Sequence, residues 1–229
     1  MNTKLHRYSF YVLLGLLIWL PIPLGSNRPW AWGLMELVIF SLSLACAYLR
    51  KQQAWMGLRA YRLPIGLWLA FLALATLQVI PMPAQLVAFL SPTSYDTQLA
   101  YGVAQFHLSL DVGQSQINLL KGLSYFCLLI VVLVLVNTEK RLRLLLLTIL
   151  ASGALQALYG TLEILSGTQH SLLFGLPVDD VATGSFVYKN HFANFIMLCL
   201  SAGVGLMVAT LQGNQGGTRR DFIRSILST

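Results

Sequence analysis

Lys189, Asn190 and His191 stand in succession at the head of an apolar run, within the stretch Ala-Thr-Gly-Ser-Phe-Val-Tyr-Lys-Asn-His-Phe-Ala-Asn-Phe that fills positions 182–195. A cation, an amide and an imidazole where water meets hydrocarbon suit the docking of an anion, because ionisable groups are costly there and mark sites. Asn190 is placed to cap the helix that follows, turning N–H groups and the positive dipole end toward the same anion. Gly184 would let the backbone come close to a ligand. Two readings stand: an anion site, or a capped helix with Lys189 snorkelling and His191 facing headgroups.

The elements that position this cluster follow from composition. Of 229 residues, 56% are hydrophobic and only 10% charged, with a mean hydropathy of +0.69, which excludes an ordinary soluble domain. Crossing roughly 30 Å of hydrocarbon takes about 20 helical residues. Six runs meet that length, at 8–24, 31–49, 63–80, 117–136, 142–165 and 191–211. The expected fold is therefore an all-α polytopic membrane bundle over 1–211, followed by a basic cytoplasmic linker, 212–229, that leads toward a missing second half. A cleaved signal peptide is the competing reading of the first run, after Lys4 and Arg7; Trp19, Pro21 and Pro23 stand where a small-residue cleavage site would be needed.

Charge orients the bundle. With the N-terminus inside and six crossings, all but three of the 15 basic residues, from Lys4 and Arg7 through Arg141 to Arg224, fall in inner segments. The net charge of +7 is thus spread along short segments beside spans, which argues for topology and anionic-lipid contact and against nucleic acid. Arg28, Lys121 and Lys189 are the outer exceptions, each near the end of a span. Acids are biased the other way: Asp96, Asp111, Asp179 and Asp180 lie in outer loops and Glu36 and Glu163 in the outward parts of spans, leaving Glu139 and Asp221 inside.

Arg28 follows helix-stopping prolines and stands beside Trp30 and Trp32, so it is held at headgroup level, either snorkelling or gripping phosphate with its planar fork. Residues 81–116 are too polar to cross; 84–90 reads as a short interfacial helix stopped by Ser91-Pro92, and 108–111 as an extended piece. Ser115 is the expected cap of the fourth span, with Lys121 farther in, reaching either to the interface or to a ligand. Residues 166–190 are rich in turn formers. Cys46, Cys127 and Cys199 are scattered in apolar runs, as are the four histidines along the chain, so neither a disulfide framework nor a metal site is expected.

The segment Gly184-Ser-Phe-Val-Tyr-Lys-Asn-His-Phe-Ala193 resembles the Gly-Thr-Phe-x-Asn-Arg-Asn-His-x-Ala signature of the O-antigen ligase and O-antigen polymerase superfamily. Looser matches lie at Gly25-Ser-Asn-Arg-Pro-Trp-Ala-Trp32, at Ser91-Pro92 with Tyr95, and at Ser109-Leu-Asp111. The resemblance implies the N-terminal half of a bacterial inner-membrane glycosyltransferase of the lipid-donor type. Such an enzyme moves glycan from undecaprenyl diphosphate on the outer leaflet to lipid A core or to another chain, and its ligase branch needs neither nucleotide sugar nor metal cofactor. Lys189, Asn190, His191, Arg28 and Lys121 would bind the lipid diphosphate or its glycan. This chain has Lys189 where the family has arginine, which keeps the charge and loses the bidentate fork, and Tyr188 where it has asparagine. The later half, with the family's large outer loop and its candidate base, is not in these residues, so no catalytic base is assigned.

Two other classes compete. A small-anion transporter or channel would use Arg28, Lys121 and Lys189 as a vestibule, although it should also carry polar groups at mid-membrane, where these runs are mostly Leu, Ile, Val and Ala. A non-catalytic scaffold or remnant is the third reading.

Overall fold

The computed structural model describes residues 2–49, 58–167, 170–171, 173–175 and 181–213. Eight α-helices are described: α1 Asn2–Trp19, α2 Pro29–Leu49, α3 Arg62–Val79, α4 Ala84–Leu90, α5 Pro92–Ala100, α6 Val112–Leu135, α7 Glu139–Ser166 and α8 Lys189–Gly213. No strand occurs among the described residues; Met82 and Phe106 form an isolated bridge.

Five helices, α2, α3, α6, α7 and α8, are long and apolar enough to cross a membrane. Leu67 and Phe71 of α3 and Met197 and Leu200 of α8 are exposed, an apolar display that water would not tolerate at this extent. This is a helical membrane protein. The expected first span, 8–24, is replaced by a helix that starts at Asn2 and ends at Trp19. Lys4, His6 and Arg7 in its opening turns dilute its apolar character, and Pro21 and Pro23 cannot prolong it.

Capping chemistry sets the other boundaries. The Thr138 hydroxyl accepts from the Arg141 N–H at 3.3 Å and Glu139 complements the dipole of α7. Helix α6 begins at Val112, capped by Asp111, whose Oδ1 accepts from the Gln114 N–H at 2.8 Å. Ser115, expected as that cap, instead pairs with Ser109 at 2.7 Å. Likewise α8 starts at Lys189, where the Tyr188 carbonyl accepts from His191 and Phe192, so Asn190 lies inside the first turn and is not the cap. Arg50, Lys51, Asp179, Asp180 and the tail from 214 onward lie outside the described residues, and α8 extends through the first two positions of the expected linker.

Two compact units divide the chain, 1–35 with 135–229, and 36–134. In the first, α7 packs against both α1 and α8. A Cβ on Gly153 would lie 2.5 Å from the Cβ of Cys199, and one on Gly203 2.9 Å from Leu150; ascending α7 thus meets descending α8, and the two are antiparallel. Near the start of α7, Arg141 Nη1 donates to the Leu135 carbonyl at 2.8 Å, lies 3.3 Å from His6 Nε2 and sits 5.1 Å over the Phe10 ring. Farther along, Gln156 is tied through Ser185 to Pro21, so α1 and α7 run parallel.

In the second unit, Trp68 Nε1 donates to the Gly122 carbonyl at 3.2 Å, joining α3 to α6. The connection between them folds on itself. The Gln98 amide, buried on α5, both accepts from the His107 N–H at 2.9 Å and donates to the His107 carbonyl at 2.7 Å. Tyr95 stacks on Phe106 with centroids 5.2 Å apart. The short helix at 84–90 is as expected, whereas 108–111 forms no strand, and Ser109 donates its N–H to the Gln78 carbonyl.

Candidate functional site

A groove of about 960 Å³ runs along α7 and α8 in the first unit. Lys189 and Asn190 stand at one end, and Phe192, Ile196, Met197 and Val204 carry it along α8. The 15 residue steps from Lys189 to Val204 make it about 22 Å long at 1.5 Å per residue. Lys189 and Asn190 are exposed and occupy the first turn, where backbone N–H groups and the dipole add positive potential. The arrangement presents a cation and an amide above an apolar trough, which matches an amphiphile with an anionic head.

The segment leading into α8 is held by a buried knot. Ser185, on the 182–188 segment, donates its N–H to Gln156 Oε1 at 3.0 Å; its hydroxyl lies 2.5 Å from the Pro21 carbonyl and 3.0 Å from the same Oε1. Gly184 precedes it with φ +55, and a Cβ there would lie 2.8 Å from the Phe192 ring and 2.9 Å from Gln156 Oε1. A side chain is excluded both by conformation and by space. Phe186 follows, its ring packed on Gly25 (φ +63), where a Cβ would come within 2.6 Å, and 5.3 Å from the Phe195 ring.

Gly25 lies between Leu24 and Ser26, which are themselves left-handed, with φ 56 and 57. Each non-glycine residue held there costs roughly 1–2 kcal/mol, so surrounding contacts must impose the turn. The Ser26 hydroxyl, donating to the Leu20 carbonyl at 2.6 Å, is one such contact, and the Ser185 and Phe186 contacts are others.

Lys189 and Asn190 therefore share the groove. Arg28 is exposed at the end of the strained turn, its carbonyl accepting from Ala31 and Trp32 at the start of α2. The knot ties this turn to the segment before Lys189. His191 is exposed, off the groove, with its ring 5.8 Å from that of Tyr188. Lys121 belongs to the second unit, as does Glu36, a buried acid with Oε1 lacking a hydrogen-bond partner.

Gln156 escaped the sequence reading. It is a polar residue inside an apolar run, a signal that was present, but its partner Ser185 lies 29 positions on. It belongs to a buried polar stripe on α7 with Thr148, Ser152 and Glu163. Glu163 is only 1% exposed and its Oε1 has no hydrogen-bond partner, while the nearby Tyr159 hydroxyl contacts Ser171 Oγ at 3.0 Å and accepts from the Leu173 N–H at 3.1 Å. Compared with known proteins, the chain matches no family model, no curated protein and no solved structure.

Proposed function

We propose that the protein is an O-antigen ligase-like or polymerase-like membrane glycosyltransferase, acting on glycan carried by undecaprenyl diphosphate at the outer face of the bacterial inner membrane. The observation that carries this reading is the groove with Lys189 and Asn190 at its end and some 22 Å of apolar wall along α8. A polyprenyl chain would lie against that wall, with its diphosphate on Lys189. Arg28, on the turn tied to the same segment, supplies a second cation with a bidentate fork. Charge stabilisation of the departing diphosphate is then the main catalytic contribution of the two. The resemblance around Lys189 supports the same chemistry, and the six-span, N-terminus-inside topology belongs to the proposal, with α1 as the first crossing.

The buried stripe of Thr148, Ser152 and Gln156 is the one observation that favours the small-anion transporter. That stripe also contains the buried acid Glu163 and no basic side chain that would draw an anion along it, so the glycosyltransferase reading is preferred.

The test is Lys189→Ala, assayed for transfer of lipid-linked glycan in membranes containing the protein. Loss of a charge that acts in the transition state should slow transfer about 10²- to 10³-fold. Unchanged transfer overturns the assignment, and chloride or phosphate uptake into vesicles that depends on Lys189 would establish the transporter instead.

A further inference from the structure

We propose that Gln156 and Ser185 are positioning residues for the anion site, forming a latch that fixes the turn bearing Arg28 against the segment that starts α8 at Lys189. The inference rests on the reading of Arg28 and Lys189 as parts of one site, and adds the device that sets their mutual placement.

The two cations are 161 positions apart by their numbers, and each sits on or beside non-regular backbone. Such backbone has no ladder of its own to hold it, so its position is set by the contacts made across it. Across this junction those contacts converge on two adjacent residues. Ser185 is buried and touches both sides: its hydroxyl reaches the Pro21 carbonyl at the entry to the turn, and its N–H bonds Gln156 Oε1 on α7. Phe186 fills the space left by Gly25 within the turn. The Ser185 hydroxyl has one proton and two acceptors, Pro21 O and Gln156 Oε1, so the turn and the rigid helix compete for it. Gln156 projects from the middle of α7, a helix packed on both α1 and α8, and thus references both loops to the frame. Neither Gln156 nor Ser185 lines the groove; they act through Arg28 and Lys189.

The latch is tested with nitroxide labels on Asn27→Cys and Tyr188→Cys, both exposed positions, in a Cys46→Ala, Cys127→Ala, Cys199→Ala background in detergent or nanodiscs. Distance distributions by pulsed electron paramagnetic resonance are paired with the affinity for farnesyl diphosphate, a prenyl tail on a diphosphate. Ser185→Ala and Gln156→Leu should broaden the distribution and weaken the probe roughly fivefold to tenfold, the worth of about one hydrogen bond. Ser185→Thr, which keeps the hydroxyl, and Gln156→Glu, which keeps the Oε1 acceptor, should restore both. A distribution that stays narrow in Ser185→Ala and Gln156→Leu overturns the latch, as does broadening that neither conservative variant reverses. A parent protein that shows the narrow distribution and the restoration pattern but does not bind the probe supports the latch and overturns the diphosphate reading.

Discussion

Replacing Gly184 with Ala should destabilise the protein by about 1–4.5 kcal/mol, and the origin of the loss can be isolated. An L-residue at φ +55 costs roughly 1–2 kcal/mol in backbone strain. The new methyl group would lie 2.8 Å from the Phe192 ring and 2.9 Å from Gln156 Oε1, and overpacking of that kind costs about 1–3 kcal/mol. Stiffening of the unfolded chain returns about 0.4–1 kcal/mol. Gly66→Ala is the matched control, since it sits in α3 with nothing within 4 Å of the added carbon and should gain roughly 0.5–1 kcal/mol from helix propensity. The assay is reversible unfolding in mixed micelles, followed by circular dichroism. If the ring is part of the obstacle, Phe192→Leu combined with Gly184→Ala should cost less than the sum of the two single changes. A Gly184→Ala protein as stable as its parent, or strict additivity in the double variant, would refute the account of why this position has no side chain.

Two further outcomes are expected. Gln98→Ala leaves the His107 N–H and carbonyl without the amide that serves both; an unfolding cost of about 2–4 kcal/mol is expected, with faster amide exchange at His107 as the local measure. Arg141→Lys keeps the charge but gives up the fork that reaches the Leu135 carbonyl and His6 while lying over Phe10; thermal unfolding in detergent should show a loss of about 1–2 kcal/mol, and Arg141→Ala a larger one.

Hydrophobicity located the long apolar helices α2, α3, α6, α7 and α8 to within about five residues at each end. It did not mark where a helix begins. Helix α6 starts five residues before its expected span because Gly113, Gln114, Ser115 and Gln116 are helical yet polar, and Asp111 rather than Ser115 supplies the cap. Helix α4 was legible because prolines bracket it. Helix α5 was not: Thr93, Ser94, Tyr95 and Asp96 show no apolar period, and it is anchored by Gln98 to a carbonyl nine residues on. At the site, Lys189 and Asn190 were legible as a cation and an amide at the edge of an apolar run. Their relation to Arg28 was not, because it passes through Gln156, Ser185 and Phe186, whose types are unremarkable and whose contacts span 29 to 164 positions.

The bond from Ser185 to Pro21 also sets a schedule. Its two residues are 164 positions apart, and at about 5–20 residues per second a ribosome needs roughly 8–30 s to travel from one to the other. For that interval α1 exists without the partner that fixes its far end, and for the first 120 positions of it without Arg141 at its near end. Its opening turns carry Lys4 and Arg7, and it is not among the five helices long and apolar enough to cross a membrane. Helix α1 is therefore complete well before the contact that secures its far end can form.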